Sequence, residues 1–325
     1  MSQEVDMSNT ETIKPVAVLA LNPAVDITYV IPQLMADQKV RATQTHYHPG
    51  GNGINVARAL TELEVPVRCC SVIGGKGGEL FLRLLGDSLG EGHRYIEVSG
   101  ETRINATLLQ NQPPSQYEVD SGGPDISEAT LDDITECFLE NCANGFAVLT
   151  GSTPPGVPDS TYAELTERIS AMHGKVVLDA HGNVLKQALE AKPFMLRTNR
   201  YVLEMLIKQR LDSVEAVAKA ARQIQNKGIK FVCISLGKEG AVLVDSDNSY
   251  HSTAPRVRIY STVGSGDAML AGMVSACLRQ QDAQQMLRFG VVCGSATASH
   301  PGTELFGRTE VEETEYDLTL TELAI

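Results

Sequence analysis

The chain has 325 residues, of which 42% are apolar and 21% charged, and this composition excludes a disordered or fibrous protein. No apolar run reaches the ~18 residues that a membrane-spanning helix needs, so we expect no membrane partner. The formal net charge of −13 opposes contact with nucleic-acid phosphates, and we expect no nucleic-acid partner, although a local basic pocket could still hold a small anion.

The seven cysteines include no CxxC pair, which is the pattern expected of buried, reduced thiols in a cytoplasmic protein. The first 14 residues are polar and contain no apolar signal region, so we expect a flexible tail there. No linker interrupts the rest of the sequence. We therefore predict one domain over residues 15–310 and a C-terminal segment over residues 311–325.

From Pro15 onward, short apolar runs alternate with helical patterns. The predicted strands are Val16–Leu21, Val67–Ile73, Phe146–Thr150, Val176–Asp179, Phe194–Arg197, Phe231–Ser235 and Ala241–Val244. The predicted helices are Ile54–Leu63, Glu79–Leu89, Ser127–Glu140, Asp159–Met172, Val184–Leu189 and Val214–Asn226. This alternation predicts an α/β fold with a mostly parallel central sheet and helices on both faces. Ligands of such sheets bind at the carboxyl ends of the strands.

Four further runs break this alternation, because no helix separates the first two or the last two. They are Ile27–Ile31, Lys39–Tyr47, Ile104–Gln110 and Gln116–Asp120. Several of them alternate polar with apolar residues, which predicts a small antiparallel sheet inserted at about residues 27–47 and 103–120. A ligand or a second subunit would have to cover its exposed face.

The strongest motif is Thr262–Gly272, in which Gly264 and Gly266 flank Ser265 and precede Asp267. The residues after it have helical periodicity, so the glycine-rich turn leads into a helix N-terminus, where free amides form an anion site. Asp267 lies in the first turn of that helix. It is either a helix-capping residue or a catalytic base beside a bound phosphate.

A second glycine cluster, Pro49–Arg58, also opens a helix. It is either a plain turn or a place where Gly51 lets the backbone approach a hydroxylated ligand while Asn55 hydrogen-bonds it. The cluster does not complete GxGxxG, and the chain has no GxxxxGK[ST], HRD or DFG. The dinucleotide-binding fingerprint and a Walker-type loop are therefore absent, and the chain is not a protein kinase.

Two weaker groups of residues lie in the predicted small sheet. His46 and His48 would share one face of a strand, but no third metal ligand accompanies them. Lys39, Arg41 and Arg103 are either a solvated face or a clamp for a phosphate.

Together the two glycine motifs resemble the two signatures of the PfkB, or ribokinase-like, carbohydrate kinases, and the resemblance extends from Val16 to Thr309. Shorter matches are similar to the phosphofructokinase and tagatose-6-phosphate kinase branch of that family: Asn22–Asp26, Gly151–Gly156, Ser235–Ala241, Leu287–Gly290 and Gly294–Ala296. The resemblance implies a three-layer ribokinase-like fold in which the small sheet is a lid and a homodimer interface.

The resemblance also implies an activity, which is the ATP- and Mg²⁺-dependent phosphorylation of a ketohexose phosphate, above all fructose 6-phosphate. Fructose 1-phosphate and tagatose 6-phosphate are alternative substrates, and a protein that binds without turnover is a further alternative. By resemblance, Asp267 is the base, and the amides of Gly264, Ser265 and Gly266 form the anion hole. The implied sugar-phosphate ligands are Asp26, Lys39, Arg41, Gly51, Asn55, Arg103 and Ser152, and the implied nucleotide ligands are Arg197, Asn199, Ser235, Gly237 and Gly240.

The sequence departs from the family at one run, which is usually Lys-Pro-Asn-x-x-Glu. Here Arg197 stands for the Lys and Val202 for the Glu, whereas Asn199 is kept. An arginine can still meet a phosphate, but its fork is not equivalent to an ammonium group. The missing carboxylate leaves the Mg²⁺ ligands unassigned.

Overall fold

The computed structural model describes residues 14–324, so the predicted tail lies outside the described residues apart from Lys14. The strands are β1 (Val16–Ala20), β2 (Ala24–Ile31), β3 (Gln44–Gly50), β4 (Val67–Ile73), β5 (His93–Glu97), β6 (Arg103–Asn111), β7 (Pro114–Val119), β8 (Phe146–Thr150), β9 (Lys175–Asp179), β10 (Met195–Asn199), β11 (Phe231–Ser235), β12 (Ala241–Val244), β13 (Ser249–Ser252) and β14 (Leu320–Glu322).

The helices are α1 (Asn52–Glu62), α2 (Gly75–Leu85), α3 (Glu128–Leu139), α4 (Thr161–Ala171), α5 (Gly182–Glu190), α6 (Arg200–Ile207), α7 (Val214–Gln225), α8 (Ser265–Leu278), α9 (Ala283–Ala298) and α10 (Arg308–Glu313), with short 3-10 turns at Gly90–Gly92 and Gly237–Glu239. Between residues 14 and 324, none of the helices combines the length and the apolar character that crossing a bilayer requires.

The main sheet has the strand order β14-β13-β12-β11-β10-β9-β8-β1-β4-β5. The strands from β11 to β5 in this order are parallel, and β12, β13 and β14 continue the sheet in antiparallel pairs. Helices α1, α2, α8, α9 and α10 pack on one face, and α3 to α7 pack on the other. The predicted three-layer α/β fold is confirmed.

The central strand β1 explains why the apolar runs are continuous. Val16, Val18 and Ala20 belong to the core on one face of the sheet, whereas Ala17 and Leu19 belong to the core on the other. Alternate side chains of a strand point to opposite faces, so a strand covered on both sides needs an apolar residue at every position.

Most of the elements that sequence periodicity missed are short or lie at edges, but the buried 16-residue helix α9 was missed as well. Strand β5 is a sheet edge with mostly exposed side chains, and β13 and β14 have three or four residues each. Helix α6 follows β10 directly, with Asn199 accepting a hydrogen bond from the amide of Val202 at its N-terminus. Strand β5 and helix α6 carry little hydrophobic periodicity because most of their residues are not buried, and β13 and β14 are too short to show a period.

The small sheet has the order β3-β2-β6-β7. Both outer pairs are antiparallel, as predicted, whereas the central pair β2–β6 is parallel. Strands β2 and β6 belong to separate insertions, so no hairpin turn dictates their relative direction. The strand predicted at Lys39–Tyr47 begins only at Gln44, and Lys39 and Arg41 lie in the exposed connection before it. That prediction of the strand's start was wrong.

Cross-strand register separates the two faces of the small sheet. Asp26, Arg103, Asn105 and Glu118 point to one face, which turns toward the main sheet and lines a cleft. The other face is apolar, and it exposes Tyr47, Ile104, Tyr117 and Val119. The sheet therefore covers a polar cleft and leaves its apolar side open.

Candidate active site

A cleft of about 750 Å³ lies between the carboxyl ends of the main strands and the polar face of the small sheet. We call the part around Gly264–Asp267 and Arg197 the loop end, and the part around Asp26, Arg103 and Asn105 the sheet end. Among the predicted site residues, the cleft is lined by Asp26, Gly51, Asn55, Arg103, Arg197, Asn199, Ser235, Gly237, Gly240, Gly264, Ser265, Gly266 and Asp267.

Asp267 is 3% exposed and lies in the first turn of α8. Both of its carboxylate oxygens accept a hydrogen bond from α1: Asn52 Nδ2 donates to Oδ1 and Asn55 Nδ2 to Oδ2, each at 2.9 Å. Each oxygen keeps a second lone pair that could take a proton. Asn52 precedes Asp267 by 215 residues in the chain, so the two glycine motifs meet at this one carboxylate.

Burial raises the pKa of Asp267 to about 7, and the hydrogen bonds from Asn55 and Asn52 oppose this rise. The negative charge of Asp179 also raises the pKa, and the positive charge of Arg197 lowers it. A carboxyl group with a pKa near neutrality is suited to general acid–base work. This environment would let the aspartate act as a base as well as a residue of the helix terminus.

The turn before Asp267 brings backbone amides to the cleft. Gly264 has a φ of 78°, which a glycine adopts readily, and this conformation starts α8. In the first turn, the amides of Gly266 and Asp267 have no preceding helical carbonyl to bond, whereas that of Ser265 makes a 3.3 Å bond to Thr262. The free amides and the helix dipole form an anion site next to the carboxylate.

A buried ion pair lies directly against this turn. Arg197 Nη1 donates to Asp179 Oδ2 at 2.7 Å and Nη2 to Ser235 Oγ at 3.1 Å. The guanidinium packs so closely on Gly266 that a Cβ there would lie 2.4 Å from both Nη atoms. A side chain at this position would force the turn or the guanidinium to move, and the guanidinium is bonded to Asp179 and Ser235.

The remaining loop-end lining suits a nucleotide. Asn199 and the turn Gly237–Gly240 bring polar backbone and Lys238 to the cleft. Beside them lies an apolar wall formed by Ala254, Pro255, Val257, Val291 and Ala298. Apolar surface next to polar groups is what a purine with its phosphates requires.

At the sheet end, Asp26 is held by two donors. Asn105 Nδ2 reaches Oδ1 and Thr303 Oγ1 reaches Oδ2, each at 3.0 Å. Burial raises the pKa of Asp26 to about 6, against the effect of these bonds and of the nearby Arg103 charge. A fixed carboxylate of this kind can accept hydrogen bonds from sugar hydroxyls.

The basic residues predicted to hold a phosphate divide into two groups. Arg103 lines the cleft, and its guanidinium donates to the carbonyls of Asn22 and Ser121 at 2.9–3.2 Å. Lys39 and Arg41 are exposed and do not line the cleft. Their role in binding a phosphate stays a prediction.

Ser152 lies behind the cleft. Its hydroxyl accepts a hydrogen bond from Asn22 Nδ2 at 3.1 Å, beside a small polar cavity that Gly51 and Arg103 also line. Asn22 bonds both Ser152 and the carbonyl of Gly122 and so ties this region to the segment after β7. Ser152 therefore adjoins the sheet end without lining the cleft itself.

The cleft offers no carboxylate cluster for a divalent metal. Between residues 14 and 324, no group of three or more His, Cys, Asp or Glu side chains could hold a metal ion. Val202 supplies no ligand where the family shows Glu, and Asp179 is already engaged by Arg197. His46 and His48 stack with ring centroids 6.3 Å apart, and His48 Nδ1 accepts a hydrogen bond from the Thr303 amide.

Several residues that hold the site escaped the sequence analysis. Asn52 lies inside the recognised glycine cluster, and Asn105 follows Arg103 by two residues on the same face of β6, so both had a local signal. Asp179 is the last residue of a predicted strand, and that position was its only signal in the sequence. Thr303 is 277 residues from Asp26, and no local pattern indicates their contact.

Comparison with known proteins agrees with this geometry. Residues 19–309 match the sequence profile of the pfkB family carbohydrate kinases. The chain is 32% identical over 297 residues to the ATP-dependent 6-phosphofructokinase isozyme 2 of Escherichia coli, covering 91% of this chain and 96% of the relative. It is 31% identical over 290 residues to a 1-phosphofructokinase of Bacillus subtilis, covering 89% and 94%.

A solved structure extends the likeness to three dimensions. Phosphofructokinase-2 from Escherichia coli, crystallised in complex with substrates and products, aligns with a TM-score of 0.87 at 31% identity. The alignment covers 92% of this chain and 97% of that one.

Proposed function

The chain belongs to the pfkB family of carbohydrate kinases, and from this premise we propose that it transfers the γ-phosphoryl group of ATP to a ketohexose phosphate, with fructose 6-phosphate as the first candidate. Its relatives are named phosphofructokinases, and the predicted class of ATP-dependent phosphosugar kinase is confirmed. The observation that supports this transfer reaction is Asp267, a buried carboxylate that accepts hydrogen bonds from Asn52 and Asn55 and lies beside free helix amides.

In the proposed reaction, the sugar hydroxyl approaches the γ-phosphorus of ATP while its proton passes to a carboxylate oxygen of Asp267. A bond forms between the hydroxyl oxygen and phosphorus, the bond to the bridging oxygen breaks, and ADP leaves. The amides of Gly264, Gly266 and Asp267 stabilise the charge on the transferring group, whereas that of Ser265, predicted to join them, is bonded to the Thr262 carbonyl. Asp26 and Asn55 hold the sugar, and Asn199, Ser235, Gly237 and Gly240 line the nucleotide side.

Mg²⁺ belongs to the proposal as a companion of ATP. Val202 is apolar where the family shows Glu, and Asp179 is paired with Arg197, so neither position offers a free carboxylate for a metal. No step above is assigned to a protein-bound metal. We propose that the ion enters on the phosphate oxygens of the nucleotide.

Fructose 1-phosphate is the second candidate substrate, because several relatives, including the one from Bacillus subtilis, are named 1-phosphofructokinase. A panel of fructose 6-phosphate, fructose 1-phosphate and tagatose 6-phosphate with ATP and Mg²⁺ tests the choice through kcat/KM for ADP formation. We expect fructose 6-phosphate to give the highest value. If none of the three supports ADP formation, the proposed function fails.

Asp267→Asn tests the role of the base while keeping the side-chain shape. We expect kcat to fall by at least ~10²-fold, whereas thermal stabilisation by ATP and by the sugar phosphate persists. A wild-type protein that is stabilised by these ligands but never turns over would be a binding protein, the alternative that the sequence left open. A small effect on kcat would instead mean that the base is misassigned.

We further propose that a homodimer forms through the apolar face of the small sheet. Tyr47, Ile104, Tyr117 and Val119 are 42–61% exposed on this one face, and association would remove that surface from water. Tyr117→Lys should yield monomers in sedimentation experiments. Met205→Lys, which changes an exposed apolar residue on α6, should leave the dimer intact. Dissociation by both variants or by neither contradicts the interface.

A further inference from the structure

We propose that Arg197 and Asp179 act as a charge pair beneath the Gly264–Asp267 turn. Arg197 is a fixed cation that stabilises the ionised Asp267 and the transferring phosphoryl group. Asp179 is an anion that opposes this effect of Arg197. The inference rests on the proposed function, because it assumes that Asp267 is the base. It makes Arg197 a positioning residue instead of the direct nucleotide ligand that the family resemblance implied.

The pair is built into the core of the site. The side chains of Arg197 and Asp179 are 11% and 14% exposed, respectively. Asp179 and Ser235 are the last residues of β9 and β11, and Arg197 lies two residues before the end of β10, the strand between them. Three neighbouring strands therefore fix the guanidinium in one position under the turn.

The contact with the turn is direct. Both Nη atoms pack against Gly266, the residue before Asp267, at the distance where a Cβ would collide. Both Nη atoms also have partners, Asp179 and Ser235, so the guanidinium is held below the turn by two hydrogen bonds. From there its charge acts through the low-dielectric interior on the carboxylate of Asp267 and on a phosphoryl group bound above the turn.

The charge balance around Asp267 is simple enough to test. The groups that contact it from α1 are the neutral amides of Asn52 and Asn55, and the charged groups facing it from the main sheet are Asp179 on β9 and Arg197 on β10. Arg197 lowers the pKa of Asp267 and Asp179 raises it. The two members of the pair thus act in opposite directions on the same base.

Arginine is suited to this position because its planar fork can serve two acceptors at once while the charge stays in place. An ammonium group is a point charge on a flexible stem and would not hold Asp179 and Ser235 in the same fixed geometry. Arg197→Lys should therefore keep most of the electrostatic effect and lose part of the positioning.

The experiment compares the pH dependence of kcat in Arg197→Met and Asp179→Asn with that of the wild type. In Arg197→Met the acidic limb should move up by ~1 pH unit, because the cation is gone and Asp179 remains. In Asp179→Asn it should move down by ~1 pH unit, because the cation is then unopposed. Arg197→Lys should leave the limb within a few tenths of a unit of wild type while lowering kcat.

If the ion pair is purely structural, both variants should lose stability, and the acidic limb should not move in opposite directions in Arg197→Met and Asp179→Asn. Arg222→Met is the matched control: Arg222 is a part-buried arginine that donates to Asn248 and Ser249, away from the cleft. This variant should lose stability and keep the wild-type pH profile. If Arg197→Met does not fold, the Asp179→Asn profile decides alone, and an unmoved limb there overturns the inference.

Failure of this inference differs from failure of the proposed function. If Asp267→Asn abolishes turnover but neither pair variant moves the limb, the base is correct and the charge-pair role is wrong. If Asp267→Asn keeps turnover, the proposed function itself is wrong, whatever the pair variants do.

Discussion

The two ends of the cleft differ in how completely this chain assembles them. At the loop end, Asp267 and Arg197 are each held by two neighbouring side chains at 2.7–3.1 Å, which come from the first turn of α1 and from the last residues of β9 and β11. At the sheet end, Asp26 is held as firmly, but Lys39 and Arg41 lie exposed outside the cleft.

The difference indicates a division of work. Chemistry needs groups fixed to within a fraction of an ångström, which strand ends and helix termini of a packed core provide. Substrate entry needs a part that can change shape, and an exposed connection on a small sheet provides that. We therefore expect the loop end to be rigid and preassembled, and the sheet end to be adaptable.

Gly266→Ala should have the largest effect, because its Cβ would lie 2.4 Å from a guanidinium fixed by Asp179 and Ser235. Either the turn or the ion pair must move, and displaced anion-hole amides cost ~10²-fold in kcat. Steady-state kinetics measures this. Gly307→Ala, where an added Cβ meets nothing within 4 Å, should behave like wild type; equal kinetics for both alanine variants would show that the turn is not rigid.

Replacing both Lys39 and Arg41 by alanine should raise KM for the sugar phosphate strongly, so that kcat/KM falls by ~10²-fold with kcat little changed. The double variant Lys208→Ala and Arg210→Ala is the control for the loss of two positive charges, because Lys208 and Arg210 are exposed basic residues beyond α6. If the Lys39 and Arg41 variant matches this control, the sheet end binds its phosphate without these residues.

The activity should follow ionisation of the base at the loop end. Asp267 must be deprotonated to accept a proton, and its pKa is about 7, so kcat should rise from acid to neutral pH and level off above it. A single group of this kind predicts a loss of about tenfold between pH 8 and pH 6. A kcat that stays flat across this interval would rule out Asp267 as the titrating base.

Thr303→Val should have the smallest effect, and it acts at the sheet end. Removing the hydroxyl that donates to Asp26 should raise KM for the sugar phosphate by about fivefold, the size of one lost hydrogen bond, and leave kcat nearly unchanged. Thr303→Ser keeps the hydroxyl and should recover the wild-type KM. Serine and valine variants with the same KM would mean that Asp26 needs no support from Thr303.

Much of the loop end was predictable because its signals are local. Glycines followed by Asp267 at the start of a helical pattern indicate an anion site and a candidate base without any knowledge of the rest of the fold. The central strands were equally clear, because burial on both faces requires unbroken apolar runs such as the one in β1. Edge strands and α6 were missed, because a half-exposed element carries a weaker pattern, whereas α9 was missed although most of it is buried.

The sequence by itself determined the fold class, the two glycine turns and the identity of the candidate base, since each depends on the order of a few adjacent residues. Only the tertiary structure decided which partners surround them: Asn52 and Asn55 on Asp267, Asp179 and Ser235 on Arg197, and Thr303 on Asp26. These contacts join residues far apart in the chain, and their distances depend on how sheets and helices pack. Local propensity and periodicity carry no record of that packing.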